Sequence, residues 1–446
     1  MTDDSATRVM QPGVDVNDSM LSDLPPERSL RAALAFRVGP VRFLPALVVV
    51  AIALRAVGAV VLHSLLLRNG GDGFFNPDER GYDQVAWAQA ELWHGIGPGV
   101  NPVEAYLLNV FTYTQAAIFF VIGHHPLAIK LLNSVLGGLT VGLVFMIAWR
   151  IFGSRPAVAS GVAALLFPST FLWAISGLKD TMFGLAIMLV LWLLIELIAT
   201  TRKIWLIPFF VALALLGGLR DYVQAMIGII APFSIAVQSS RWPRKWLVVT
   251  LLVVGCVALV VTSAAAKWLL TDPARLNQQR SCAAMNADSS FLGEDNDQLL
   301  AECAGVGTTE GMALAGRSVK ELVAWLPHGA MYAAAAPFPW TATRLSERAT
   351  IPEMLCWYVA VTFAVVALIV SWRAQWRAYL PIVLYVGGIS LLLALTQGNL
   401  GTLVRHRSMI IPSVLVFSGF GVVYALQALV RRNPQRFGRL DALLDA

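Results

Sequence analysis

Apolar runs of about 20 residues, the helical length that crosses ~30 Å of hydrocarbon, recur in this 446-residue chain from Phe43 to the stretch before Arg431. A water-soluble domain has no interior large enough for them, because 57% of the residues are hydrophobic and only 13% are charged. Inside a bilayer the backbone must satisfy its own hydrogen bonds, so each run is expected to be a helix. The short alternating segments of a membrane β-barrel are not seen. The expected fold class is an all-α polytopic membrane protein.

The formal charge of +6 is spread over clusters between the apolar runs rather than gathered into a patch for nucleic acid, so the clusters read as topology signals. Arg28/Arg31/Arg37/Arg42, Arg150/Arg155, Arg202/Lys203, Arg241/Arg244/Lys245, Arg373/Arg377 and Arg431/Arg432/Arg436/Arg439 fall at every second loop. Taking them as cytoplasmic gives spans at Phe43–Leu67, Leu127–Trp149, Ala157–Ile175, Met182–Ala199, Ile204–Gly218, Tyr222–Val237, Trp246–Ala266, Met354–Trp372, Tyr379–Thr396 and Met409–Val430. The expectation is a bundle of about ten transmembrane helices with both termini inside. Residues 1–42 and 431–446 would be cytoplasmic tails, the first polar and acidic and unlike a cleavable signal peptide. Residues 43–266 form one membrane module and 354–430 the last helices; two external regions, 68–126 and 267–353, remain. Ala105–Ile122 breaks the alternation and carries Asn109, Thr112, Thr114 and Gln115. It reads as a re-entrant or surface-lying helix, with a full crossing as the alternative.

Charges that oppose this orientation mark the candidate chemistry. Asp78 and Glu79, in Asn76-Pro77-Asp78-Glu79-Arg80-Gly81-Tyr82-Asp83, follow the first span and precede an amphipathic helical pattern through Tyr82, Val85, Ala86, Gln89, Leu92 and Trp93. An acid there is equally an ordinary helix cap. Lys179-Asp180, Arg220-Asp221 and Arg405-His406-Arg407 lie on the same external side. The first two are also readable as self-neutralising neighbours. Arg405 and Arg407 have no acid nearby in sequence and suit a phosphate, which arginine binds bidentately. His63, His94, His124 and His125 together with the two acids offer donors for a divalent cation, but without compact ligand spacing they read rather as hydrogen-bonded histidines. The acidic stretch Asp288, Glu294, Asp295, Asp297 and Glu302 reads as a solvated face or a cation site, and Cys282 with Cys303 as a disulfide or two thiols. Nucleotide sugars are not expected outside a cytoplasmic membrane, so acids and cations there suggest transfer from a lipid-phosphate sugar: a carboxylate takes the acceptor proton and arginines stabilise the leaving phosphate.

Asp78-Glu79-x-x-Tyr82, then Leu131–Asn133 with Gly137-Gly138-Leu139-Thr140, Arg150-Ile-Phe-Gly153, Phe167-Pro168, Ser176-Gly177-Leu178-Lys179-Asp180, Gly218-Leu219-Arg220 and Arg405-His-Arg407 with Pro412 resemble, in order and spacing, the GT-C superfamily of integral-membrane glycosyltransferases. The chain is similar to the family 39 type, which includes protein O-mannosyltransferases and the lipid A aminoarabinose transferase. The resemblance implies a polyprenyl-phosphate sugar donor, inverting transfer to an envelope glycan, lipid or protein, and a site on the external face of a bacterial cytoplasmic membrane. It maps the catalytic acid onto Asp78 with Glu79 beside it, and phosphate-binding residues onto Arg405, Arg407, Lys179 and Arg220, with Tyr82 completing the substrate site. The transferase's second acidic motif is absent; only Glu104 near Tyr106 stands in that region.

A polysaccharide polymerase or O-antigen-type ligase shares the many spans and external arginines but would place its chemistry in a later loop. A transporter or flippase would need polar residues along a path. The spans hold few charges: Arg55, Lys130 and Glu196, the last two near helix ends where long side chains snorkel.

Overall fold

The computed structural model describes residues 43–100, 107–238, 245–270, 319–340, 348, 350–396 and 400–432. The two expected tails up to residue 42 and from 433, the Cys282 and Cys303 pair, the acidic stretch from Asp288 to Glu302, and Glu104 with Tyr106 lie outside them.

Among the described residues all regular structure is helical: α1 (Phe43–Arg68), α2 (Pro77–His94), α3 (Val110–Ile122), α4 (Pro126–Phe152), α5 (Ser154–Leu166), α6 (Pro168–Ala174), α7 (Asp180–Thr200), α8 (Leu206–Gly217), α9 (Asp221–Ala236), α10 (Lys245–Leu270), α11 (Val319–Ala335), α12 (Ile351–Thr396), α13 (Leu400–Arg407) and α14 (Ile411–Arg432). Six of these, α1, α4, α7, α10, α12 and α14, are long and apolar enough to cross a membrane. The chain is thus an all-α, multi-pass membrane protein. Within α4, 67% of the spanning stretch is buried, against 22% in α1, so α4 runs through the bundle while α1 lines its outside. Val49, Val57 and Leu65 of α1 turn outward.

Three expected spans take a different form. Ala157–Ile175 is not one rod: α5 and α6 meet at 57°, because Pro168 has no N–H for the Ala164 carbonyl and forces Phe167 into an extended conformation. Ile204–Gly218 and Tyr222–Val237 become α8 and α9, of 12 and 16 residues, about 18 and 24 Å long and shorter than the hydrocarbon layer. Helix α3, with 13 residues, is likewise short and packs on α2 through the Tyr82–Phe111 and Trp87–Phe119 ring pairs.

Helix α12 has 46 residues, and its contacts show that it doubles back. The Ala360 carbonyl accepts a 2.8 Å bond from Ser418 of α14, while the Tyr379 ring packs 5.3 Å from Phe417. Ala360 and Tyr379 would be about 28 Å apart on a straight helix. Met354 and Tyr385 likewise meet the end of α13 and the turn after it, at Arg407 and Met409. Its two halves therefore lie side by side against α14, as expected for Met354–Trp372 and Tyr379–Thr396.

Candidate active site

Helix α2 begins at Pro77, earlier than the expected start after Glu79. Pro77 occupies its first turn and the Asn76 side chain accepts from the Asp78 N–H at 2.9 Å, so Asn76 is the cap and Asp78 is released from that role. Asp78 and Glu79 sit in the first turn, where acids are favoured by the helix dipole, but they point to different environments.

The Asp78 side chain is 54% exposed and forms an ion pair with Arg405. Glu79 is 1% exposed: Oε1 lies 3.0 Å from Lys130 Nζ and accepts from the Gly177 N–H at 2.8 Å, while Oε2 accepts from the Phe75 N–H at 3.0 Å. A carboxylate with both oxygens occupied and no access to solvent is not placed to take a proton from a substrate. Glu79, expected beside Asp78 as a catalytic acid, is instead a tie between α2, α4 and the Ser176–Lys179 turn. Gly177 is required at that tie, since a Cβ there would lie 2.7 Å from Glu79 Oε1. Asn133 of α4 holds the same turn, donating to the carbonyls of Ser176 and Leu178 at 2.7 and 2.9 Å. Lys130 does not snorkel as expected from its position; it is fully buried and also donates to the Gly73 carbonyl at 2.6 Å.

These ties set Lys179 and Asp180 beside Asp78. The expected neighbour pairing of Lys179 with Asp180 and of Arg220 with Asp221 is replaced by pairs across the bundle. Asp180 Oδ1 lies 2.9 Å from Arg220 Nη2 and Oδ2 lies 2.7 Å from Arg405 Nε. Arg220 also donates to the Tyr222 hydroxyl at 3.0 Å. Lys179 Nζ stands 5.4 Å from the centre of the Tyr82 ring and, among the described residues, makes no ion pair. Three cations, Lys179, Arg220 and Arg405, thus share two carboxylates, Asp78 and Asp180, which leaves positive charge for an anionic ligand.

The electrostatics sort the members further. Burial, with Arg220 nearby, brings the Lys179 ammonium down to about 8. Burial pushes the Tyr82 phenol up to about 12, so it stays protonated and offers an O–H. Burial and the adjacent Arg220 depress His406 to about 3, leaving a neutral ring in the cluster. Burial works against the charge of Arg405, but Asp180, Tyr82 and Asp78 together more than offset it and raise its pKa above the ordinary arginine value.

Arg407, expected at the phosphate with Arg405, is not there. It is 1% exposed and donates to the Ala333 carbonyl at 3.2 and 2.9 Å and to the Ala336 carbonyl, with its guanidinium 5.6 Å from the Trp357 ring centre. Two residues on from Arg405, at the end of α13, it turns away from Asp78 and fastens the α11 terminus to the bundle. His63, His94 and His124 make hydrogen bonds, the reading preferred over a cation site. His124 Nε2 lies 2.6 Å from Asp83 Oδ2, His63 reaches the Gly73 carbonyl and His94 the Phe120 carbonyl. Among the described residues no group of three metal-ligating side chains converges.

Sequence reasoning missed Asp180 as the hub and Lys130 and Asn133 as its supports. A signal for Asp180 existed, an acid opening a long apolar run, but its adjacency to Lys179 hid it.

Residues 109–268, a little over a third of the chain, match the family of dolichyl-phosphate-mannose-protein mannosyltransferases. The match contains Lys130, Asn133, Lys179, Asp180 and Arg220. No curated protein matches the chain significantly.

Proposed function

Taking the chain as a GT-C type integral-membrane glycosyltransferase that draws its sugar from a polyprenyl phosphate, we propose that it transfers one hexose or pentose to an acceptor hydroxyl on the external face of the membrane. Asp78 is the general base, and Lys179 and Arg405 take the donor phosphate, with Arg220 behind them. The observation that carries this reading is the half-exposed Asp78 carboxylate in contact with Arg405, at the edge of a cluster in which cations exceed acids.

The step balances simply. The acceptor oxygen attacks the anomeric carbon while its proton passes to Asp78; the bond from that carbon to the phosphate oxygen breaks, and its electron pair leaves with the polyprenyl phosphate. Lys179 and Arg405 stabilise the charge that grows on the departing oxygen. The Tyr82 hydroxyl, adjacent to both, is a donor to sugar or phosphate oxygens.

The external assignment rests on α4. Lys130, beneath the cluster, and Arg150, in the basic cluster at the far end, are 20 residues apart, about 30 Å of helix and one hydrocarbon thickness. With the basic end in the cytoplasm, Asp78 faces outside. The acceptor would be an envelope glycan, lipid or protein.

The test is Asp78→Asn in purified protein supplied with a polyprenyl-phosphate sugar. Loss of the base lowers the rate ~10²–10⁴-fold, with thermal stability retained because Asp78 is half exposed. Transfer at the wild-type rate would overturn the assignment.

A further inference from the structure

Arg55 sits near the middle of α1, 12 residues from Phe43 and 13 from Arg68, so at the depth of a bilayer centre, about 18–20 Å from either end of the helix. It is fully buried. Part of its bonding is explained by the fold: Nη2 reaches the Ala164 carbonyl at 3.3 Å, the group that Pro168 leaves without a helical donor, and Thr170 Oγ1 shares that carbonyl at 3.1 Å. Nη1 reaches the Ala51 carbonyl at 3.3 Å. These contacts satisfy N–H groups, and the Phe171 ring, its centre 5.7 Å from the guanidinium carbon, offers the cation a π face, but neither supplies a full negative charge. Among the described residues no carboxylate pairs with Arg55, and Asp180, which lines the same cavity, is already held by Arg220 and Arg405.

That cavity, of about 40 Å³, lies between α1, α4, α6, α7 and the start of α14, with both Arg55 and Trp173 in its wall. Arg55 Nε and Trp173 Nε1 are buried and have no acceptor among the described residues. Gly137 makes room for the arginine, since a Cβ there would lie 3.1 Å from Arg55 Nε and 2.5 Å from Ala174 Cβ. Two unused donors, one carried by a cation that has no carboxylate partner among the described residues, belong to side chains that line a space large enough for a water-sized occupant. Water would satisfy the donors and leave the charge; an anion satisfies both. Val141, Val144, Ala164, Gly184 and Pro412 make much of the remaining wall apolar, and the hydroxyls of Thr140, Thr170, Thr181 and Ser408 in it donate to main-chain carbonyls, which favours a monovalent, weakly hydrated ion over a phosphate, whose further oxygens would find no free donors.

We infer that Arg55 and Trp173 form a halide site inside the bundle, in which one chloride-sized anion accepts from Arg55 Nε and Trp173 Nε1. Asp78 is not in its wall, although Asp180 is shared with the proposed active site, and its test does not depend on the transfer reaction.

The experiment follows thermal unfolding of the purified full chain while sodium gluconate is exchanged for sodium chloride, bromide or phosphate at constant ionic strength. Chloride and bromide raise the melting temperature saturably; gluconate and phosphate do not. Trp173→Phe removes only the N–H and raises the half-saturating halide concentration about tenfold, as expected for one hydrogen bond to a charged group. Arg55→Met abolishes the response, and if that variant does not fold, Trp173→Phe decides. Equal melting temperatures in chloride and gluconate, an unchanged titration in Trp173→Phe, or stabilisation by phosphate in place of chloride would each overturn the site.

Discussion

Arg405 places its Nε 2.7 Å from Asp180 Oδ2, across 225 residues of chain. The same carboxylate holds Arg220 through its other oxygen, so one buried acid aims two of the three cations of the proposed phosphate site. Asp180→Asn should therefore damage fold and catalysis together. Removing one partner of a buried, hydrogen-bonded charge pair typically costs roughly 3–5 kcal/mol, and the two released arginines lose their aim at the donor. Thermal unfolding and transfer assays on the same preparation check both effects; an unchanged melting temperature would show that Asp180 does not organise the cluster.

Glu79 and Lys130 supply a contrast between support and chemistry. Glu79→Gln and Lys130→Met each strand the other residue as a buried charge and should each destabilise by roughly 3–5 kcal/mol. The double variant should recover a substantial part of the summed loss, because the residues are in direct contact and couple. Denaturant unfolding of the four proteins measures the coupling, and strict additivity would refute the tie. Asp78→Asn should instead leave stability nearly untouched.

Lys179 sets an alkaline limit. Its ammonium is brought down to about 8, mainly by burial, so the cation is present below that value and lost above it. If Lys179 binds the donor phosphate, kcat/KM falls as pH rises through about 8, and Lys179→Arg, whose guanidinium stays charged, carries activity to higher pH. A wild-type profile that remains flat well above that point would remove Lys179 from the donor site.

Much of this was readable along the chain because it depends on short windows. Run length and mean polarity choose membrane helices over a soluble core, and Asn76-Pro77 is a local helix start as well, although the expected cap was Asp78. Even the break at Phe167-Pro168 has a local cause, although the expected single span passed over it. Asp78, Lys179, Arg220 and Arg405 were singled out by their type and by the side of the membrane on which they were expected, Tyr82 by the family resemblance, and the fold brings them to one end of the bundle.

What the chain could not reveal was partner choice. Asp78 and Glu79 are adjacent and chemically alike, yet successive helical residues point about 100° apart: one faces an opening, the other the packed junction of α2, α4 and the Gly177 turn. Arg405 and Arg407 differ in the same way, one meeting Asp180 and the other the carbonyls of Ala333 and Ala336. Lys179 and Asp180 look self-neutralised on paper, but adjacent side chains project apart, and Asp180 finds its cations at positions 220 and 405. The sequence by itself determined that the chain spans a membrane as helices and which charges stand out against that background. Only the tertiary structure decided which of those charges support the fold and which remain available for chemistry, because a buried ionic group must be satisfied by whatever the folded chain brings within about 3 Å of it.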